Sequence, residues 1–352
     1  MKTIVLIIGI LIFSSFATAQ NNANNWYRGN THTHTNFSDG DTPLSNVVAF
    51  YNDQGYNFLF ITDHNLTSYG SVYETQKLRS DFILIPGNEI TGKVHFTALN
   101  ISLPLSYKEI IKEDIKHNSE IIQLVSRAIT SSGGIAVVNH PNFSTGVQPQ
   151  DIYGDNEITH IELFNGHPAC ANWGKPGHAS MDSKWDSILS QGKLVYGIAS
   201  DDAHNFNITD RKKANPGRGW IMVNAKSLQI PDIMEAIAEG KFYSSNGVFL
   251  KKCIIHNGKL KVQVDRVLSQ KEIEKGLAYE NIDTTGVDGF TIDVIGENGK
   301  ILKSRNNISL SYKMTKKDKY ARIRVTYCVS KGTVFRKYYA WTQPCMTSIQ
   351  YK

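Results

Sequence analysis

Leu194-Val195-Tyr196-Gly197-Ile198-Ala199 is a short apolar run, and it ends in Ser200-Asp201-Asp202-Ala203-His204. A run of this length bounded by polar residues reads as a buried strand that delivers ligand-capable side chains at its C-terminal end. The pattern recurs along the first part of the chain. Phe58-Leu59-Phe60-Ile61-Thr62 ends in Asp63-His64, and Phe82-Ile83-Leu84-Ile85 ends in Pro86-Gly87-Asn88-Glu89. Ile135-Ala136-Val137-Val138 ends in Asn139-His140, and residues 158–164 end in Asn165-Gly166. Helical patterns separate these runs at residues 43–52, 119–131 and 180–189, and another at 231–238 is stopped by Gly240. Apolar strands alternating with helices predict a parallel sheet covered on both faces. A doubly wound sheet gathers its site at one switch point. Here nearly every strand end contributes, which favours a β/α barrel, distorted or regular, with its site at the C-terminal face.

Beyond residue 250 the pattern changes. Residues 253–255, 260–264, 289–295, 320–329 and 333–341 are strand-like, and turns such as Asn257-Gly258 and Asn298-Gly299 separate them. A small all-β domain, most simply a sandwich, is expected. Charge shifts at the same point. Residues 1–250 carry 18 Lys and Arg against 23 Asp and Glu, a net −5, whereas residues 251–352 carry 20 against 9, a net +11. Of the eleven histidines only His256 lies in the later part. A basic domain can meet an anionic surface, although a solvated Lys-rich β surface is the simpler account. No Arg-rich run with interleaved aromatics occurs, so nucleic acid is not an expected partner.

At the N-terminus, Lys2 precedes an apolar run over residues 4–16, and Ala17-Thr18-Ala19 follows as a small-x-small cleavage site. This is the plan of a secretory signal peptide, and the run is too short to span a bilayer. Export to the periplasm or the medium is expected, with no transmembrane segment. The division is therefore a signal peptide at 1–19, the barrel at 20–249 and the β-sandwich at 250–352. Cys170, Cys253, Cys328 and Cys345 form no CxxC pair, so a cysteine zinc site has no support. Export permits one disulfide in the C-terminal part, such as Cys253–Cys345, although spacing does not choose the pairing.

Thr31-His32-Thr33-His34-Thr35 carries the first chemical signal. In a strand, residues i and i+2 share a face, so His32 and His34 can hold one ion together. Asp39 follows on a turn, and Asp202-Ala203-His204 is a second i, i+2 pair of ligand types. Asp202 is preferred over Asp201 because it shares a face with His204. With His64, Glu89, His95 and His140, nine candidates of nitrogen and oxygen type result, a donor set suited to Zn, Mn or Fe. One ion needs about four to six ligands, so nine imply two or three divalent ions. Asp63 is placed to orient His64 or a water, or is simply a strand-end carboxylate.

In order, His32-Thr33-His34-Thr35 with Ser38-Asp39-Gly40, Thr62-Asp63-His64-Asn65, Gly87-Asn88-Glu89-Ile90-Thr91, Asn139-His140-Pro141 and Ser200-Asp201-Asp202-Ala203-His204 resemble the successive motifs of the PHP (polymerase and histidinol phosphatase) superfamily, over residues 28–247. Trp185-Asp186, Gly219-Trp220, Phe242-Tyr243-Ser244-Ser245-Asn246-Gly247 and Ala340-Trp341-Thr342-Gln343-Pro344 resemble a secreted branch that includes carbaryl-hydrolase-like proteins. The resemblance implies a distorted seven-stranded, TIM-like β/α barrel followed by a small β-sandwich. It also implies a two- or three-metal site. Carried over by motif, His32, His34, Glu89 and Asp202 would hold one ion. Asp39, His64 and His204 would hold a second, and Glu89 would bridge to a third held by His95 and His140. Many members carry His where this chain has Asp39, which still ligates but alters the charge of the site.

Clustered divalent ions lower the pKa of a bound water to supply hydroxide, and they stabilise negative charge on a transferring group. The expected activity is that of an exported phosphoesterase acting on small or glycan-linked phosphate monoesters or diesters. A carbamate or carboxylic ester hydrolase on the same site is the alternative. A metal-bearing binding module without turnover is a third reading, and the complete ligand set argues against it. Arg218, in Gly217-Arg218-Gly219-Trp220, is a candidate phosphate clamp or a solvated charge. Glu162 and Asn165 are candidates for substrate contact or for support of the ligands. The loop 166–179, with His167, Trp173 and His178, is placed to cover the site, and His117 and His160 stand outside it.

Overall fold

The computed structural model describes residues 25–67, 78–143, 146–155 and 157–347. The expected signal peptide lies outside the described residues. The first part comprises β1 (Asn25–Asn30), α1 (Leu44–Asp53), β2 (Phe58–Ile61), β3 (Ile83–Ile90), β4 (Phe96–Leu99), α2 (Tyr107–Ile110), α3 (Asn118–Ser131), β5 (Ile135–Val138), α4 (Gln150–Tyr153), β6 (His160–Asn165), α5 (Met181–Ser190), β7 (Tyr196–Ser200), β8 (Trp220–Ala225), α6 (Ile230–Ala238) and β9 (Phe242–Ser245). Strands β1 to β7 follow one another edge to edge. All the pairings from β1 to β3 and from β5 to β7 are parallel. β4 is antiparallel to both of its neighbours, so the sheet is mixed rather than parallel. The cause is the link between β3 and β4: five residues suffice for a hairpin but not for a helical crossover.

β1 is shared. Its residues Asn25 to Gly29 pair antiparallel with β8, and its end, Gly29 and Asn30, pairs parallel with β2. Just past its end, Thr33 forms a parallel bridge with Ala203, beyond β7, so the run of strands returns to its first member. There the His34 amide donates to the Ala203 carbonyl at 2.9 Å, and the Asp202 amide donates to that of His32 at 3.0 Å. Alternate residues of β2 serve two cores. Phe58 and Phe60 pack with Ile85, Leu99, Val137 and Ile198 on one side. Leu59 and Ile61 pack under α1 with Leu44, Val47, Val48 and Tyr51 on the other. Each such side chain contributes roughly 1.5–3 kcal/mol on burial. The strand ends are thereby held from both faces, leaving the polar residues beyond them in fixed places.

The later part comprises β10 (Phe249–His256), β11 (Lys259–Asp265), α7 (Arg266–Glu274), β12 (Asn281–Asp283), β13 (Gly289–Ile295), β14 (Ile301–Asn306), β15 (Ser309–Lys313), β16 (Tyr320–Lys331), β17 (Val334–Thr342) and β18 (Cys345–Met346). The antiparallel sheet β10-β11-β15 shares a core with β14-β13-β16-β17, through Leu260, Val262 and Leu310 on one side and Ile292, Ile323 and Val325 on the other. Helix α7, capped by the Asp265 carboxylate on the Leu268 amide, departs from the all-β expectation. Asn257-Gly258 and Asn298-Gly299 both take positive φ, as tight turns of this kind require. β9 pairs with β17, so one sheet runs through both parts of the chain. All four cysteines are free. The suggested Cys253–Cys345 bridge does not form, because Cys253 lies on β10 in the small sheet and Cys345 pairs with the start of β16 in the other.

Candidate metal centre

Nine side chains from six strand ends converge at one face of the sheet. Three groups of donors can each hold an ion: His32, His34 and Asp202; His34, Asp39, His64 and His204; and Glu89, His95 and His140. In the first, Asp202 Oδ1 lies 3.3 Å from His32 Nε2 and 3.2 Å from His34 Nε2. In the second, Asp39 reaches His204 Nε2 at 3.2 Å, His64 Nε2 at 3.3 Å and His34 Nδ1 at 3.6 Å. In the third, Glu89 Oε1 lies 3.1 Å from His95 Nδ1 and 3.5 Å from His140 Nε2. Glu89 joins the groups, since Oε1 is also 3.5 Å from His32 Nε2, and Oε2 is 2.8 Å from His64 Nδ1 and 3.5 Å from His34 Nε2.

A second layer aims these donors. His32 Nδ1 sits 2.8 Å from Glu162 Oε1, which leaves Nε2 facing the cluster. Glu162 also accepts from the His140 amide at 2.7 Å and from the Asn165 amide group at 2.8 Å; Asn165 in turn donates to Asp202 Oδ2 at 3.1 Å. Glu162 and Asn165 therefore support the ligands. Asp63 accepts from the Thr35 amide and from the Thr35 and Ser38 hydroxyls at 2.7–2.8 Å. It pins the loop that carries Asp39. His140 and Asp202 have φ of 25° and 50°, left-handed values that a non-glycine residue holds only under restraint from its surroundings. The i, i+2 argument for Asp202 assumed a strand that the backbone does not follow there; Asp202 nonetheless faces His32 and His34.

Burial and mutual charge set the protonation of the cluster. Burial opposes a proton on His32, but Asp202, Glu89 and Glu162 outweigh it and raise its pKa well above the usual imidazole range. His34 moves the other way, to about 4, through burial and the adjacent His204. Burial pushes Glu89 and Asp202 up, and the imidazoles, His32 foremost, pull both well below the carboxylate range. Among the described residues, Glu89, Asp202 and Asp39 have imidazoles and no lysine or arginine as ion-pair partners. His32 Nε2 and His34 Nε2 face each other at 3.1 Å, a spacing that either one shared proton or a cation beside the pair satisfies. The residues present therefore fit divalent cations, bound by neutral imidazole and carboxylate.

Arg218 is elsewhere. Its guanidinium donates to the carbonyls of Gly166 at 2.9 Å and Asp210 at 3.0 Å, and it stacks over Tyr279. It is neither the solvated charge nor a group free to clamp phosphate. Asp201 accepts from the amides of Gly217, Arg218 and Gly219 at 2.6–2.9 Å and turns away from the donors. Of the loop 166–179, His167 stands 5.8 Å from the His204 ring, but Trp173 packs on Tyr339. His160 is a core residue bonded to the Ile237 carbonyl. Sequence reasoning missed Asn139, which donates to Glu89 Oε1 at 2.9 Å, and Thr91, whose hydroxyl contacts His64 Nδ1. Thr91 lies two residues past Glu89 on the same strand line, a spacing that could have flagged it. Phe143 was also missed; its ring lies 4.9 Å from that of His140. With Lys93, His95, Asn139 and His140 it lines a cavity of about 170 Å³ beside the third group.

No protein-family model matches the chain, and no curated protein matches it. Among solved structures it is similar to a two-domain protein from Bacteroides vulgatus described as containing a predicted PHP-like metal-dependent phosphoesterase. The identity is 16%, the match covers 89% of this chain and 95% of the other, and the TM-score is 0.47. It is also similar to a protein from Bifidobacterium adolescentis named as a metal-dependent phosphoesterase (14%, covering 53% and 89%, TM-score 0.36). A third is an amidohydrolase from Chromobacterium violaceum with bound sulfate (13%, covering 51% and 88%, TM-score 0.33). Likeness at this distance does not assign chemistry. The chain is thus similar to structures named PHP-like metal-dependent phosphoesterases, and it carries its own His, Asp and Glu clusters at the face where strand ends converge.

Proposed function

We propose that the chain is an exported metal-dependent hydrolase of the PHP superfamily, near the secreted carbaryl-hydrolase-like branch, whose substrates are phosphate esters. The barrel would be the distorted seven-stranded form, and zinc or manganese would occupy two or three positions. The observation that carries the reading is the sharing of Glu89 among three donor groups. When bound, the ions would supply Lewis-acid stabilisation of charge and activation of water. Phosphoryl transfer spreads charge over several equatorial oxygens, so positive centres on more than one side of a phosphorus favour it. Carbonyl addition concentrates charge on one oxygen and gains less from a third position.

The chain's own residues do the positioning. Glu162 holds the His32 ring, Asn165 links Glu162 to Asp202, and Asp63 fixes the approach of Asp39. The substrate would enter beside His95, His140 and Phe143. Arg218 lends the phosphate reading no support, because its guanidinium braces the carbonyls of Gly166 and Asp210 and lies outside the donor groups. The test is a set of matched p-nitrophenyl phosphate, carboxylate and carbamate esters, with metal resupplied and with chelator. Phosphate esters should give the highest kcat/KM, and His32→Ala or Asp202→Ala should abolish turnover. A preference for the carboxylic ester or carbamate would move the site to carbonyl chemistry.

A further inference from the structure

The outward face of the sheet β10-β11-β15 is made of alternate residues whose neighbours in sequence point into the core. Register aligns His256, Lys259 and Lys313 in one row, Ile254 with Lys261 in the next, and Lys252 in the third, the other positions being Ser and Gln. All four lysines are exposed, and the carboxylate that ends the same line of β11, Asp265, is taken up by the Leu268 amide at the start of α7. Among the described residues none of the four forms an ion pair, although lysines elsewhere do. Lys303 adds a further ammonium at the edge, donating to the Ser311 carbonyl at 2.9 Å. Lys259 and Lys313 stand directly opposite each other on adjacent strands, a like-charge pair that costs stability in isolation. In the middle row is Ile254, 41% exposed beside Lys261.

We propose that this face docks the protein on an anionic lipid bilayer. Lysine presents a hydrated point charge, suited to a diffuse field of headgroups; arginine, which is absent from the face, is the residue of bidentate phosphate or sulfate recognition. In the three rows the one ring is the His256 imidazole, whereas a single-stranded nucleic acid calls for successive stacking platforms. An aliphatic side chain among lysines gains free energy at the boundary of water and hydrocarbon, where lysine stems also lie along the apolar layer. A linear polyanion would gain nothing from Ile254.

Sedimentation of the purified protein with vesicles tests this. Binding is expected to phosphatidylcholine vesicles containing phosphatidylglycerol and not to phosphatidylcholine alone. It should be released as salt rises from about 50 to about 500 mM, because the screening length shrinks. Lys259→Glu with Lys261→Glu should weaken binding at least about tenfold, since each lysine near such a surface contributes roughly fivefold. Ile254→Ser should weaken it as well. Lys259→Glu alone puts a carboxylate opposite Lys313 and should raise the thermal midpoint, so lost binding cannot be ascribed to unfolding. Equal sedimentation with both vesicle types, or unchanged binding by the double variant, would overturn the proposal. So would retention on heparin without vesicle binding, which would assign the face to a polysaccharide.

Discussion

His32 Nδ1 and Glu162 Oε1 lie 2.8 Å apart, both buried, and this contact decides which nitrogen of His32 meets the metal site. Glu162 is ionised there: burial opposes its charge, but His32 outweighs burial and lowers its pKa. The Ser200 hydroxyl, the His140 amide and the Asn165 amide group share the same carboxylate. One side chain from β6 thus sets donors contributed by the ends of β1, β5 and β7.

Glu162→Gln keeps the shape of the side chain and removes its charge. Supporting groups of this kind are typically worth about 10–100-fold in metal affinity. Competition with a chelating indicator should show a loss of that size with the secondary structure retained. Unchanged affinity would reduce Glu162 to a packing role.

Glu89 touches all three donor groups, whereas His140 serves one. Metal analysis of protein purified without chelator should find at least two ions per chain, given that one ion takes about four to six donors. Glu89→Gln should remove more metal than His140→Ala, and His117→Ala, before α3, should remove none. A Glu89 variant that held its full complement would show that the groups load independently of it.

Most of the donor set was legible because apolar runs stop where the ligands begin. β5 matches its sequence reading residue for residue, and α1 is displaced by one residue. β4 was missed because Pro86-Gly87 reads as the end of a strand, yet β3 runs on through it to Ile90 and turns back as a hairpin. That continuation places Glu89 inside a strand, between His64 and His95. Glu162 and Asn165 were legible as candidates, but other supporting contacts were not, because Asn139 on Glu89 and Arg218 on Gly166 depend on which strands become neighbours. Composition cannot report that. The Arg218 reading failed for this reason: a lone arginine before a strand looks the same whether it awaits a phosphate or braces a loop.

Arg322 is fully buried on β16 and pairs with Asp186 at 2.7 Å and Asp182 at 2.8 Å on α5, tying the two parts of the chain together. Arg322→Met strands Asp186, leaves Asp182 with Arg324 alone, and should cost about 3–5 kcal/mol by denaturant unfolding. Burial would raise the Asp182 pKa, but Arg322 and Arg324 outweigh it and hold it below the usual value. A depressed folded pKa stabilises above the unfolded value, and the gain fades as pH falls through the folded one. The wild-type chain should therefore lose stability below about pH 4. The Arg322 variant should show a shallower acid limb, and an identical slope in both would exclude Asp182 as a source.

Asp201 and Asp202 are adjacent carboxylates with separate tasks, and paired substitutions can separate them. Asp202 Oδ1 lies between His32 and His34, so Asp202→Asn removes a ligand charge and the carboxylate that faces both rings. Asp201 takes four donors: the amides of Arg218 and Gly219 on Oδ1, and the Gly217 amide and Tyr51 hydroxyl on Oδ2. In Asp201→Asn the new amide group must face one of these pairs. At the Oδ2 position the Tyr51 hydroxyl can rotate to accept, but the Gly217 amide is left facing a donor. At the Oδ1 position two amides are left. The first orientation is the cheaper and should still cost about 1–3 kcal/mol, the price of one unsatisfied buried group. Thermal unfolding without metal, read beside elemental analysis, should then give opposite results. Asp201→Asn should unfold at lower temperature and still bind metal when folded, whereas Asp202→Asn should lose metal even under conditions where it is fully folded. If Asp201→Asn lost metal with its midpoint unchanged, the two residues would have to exchange roles.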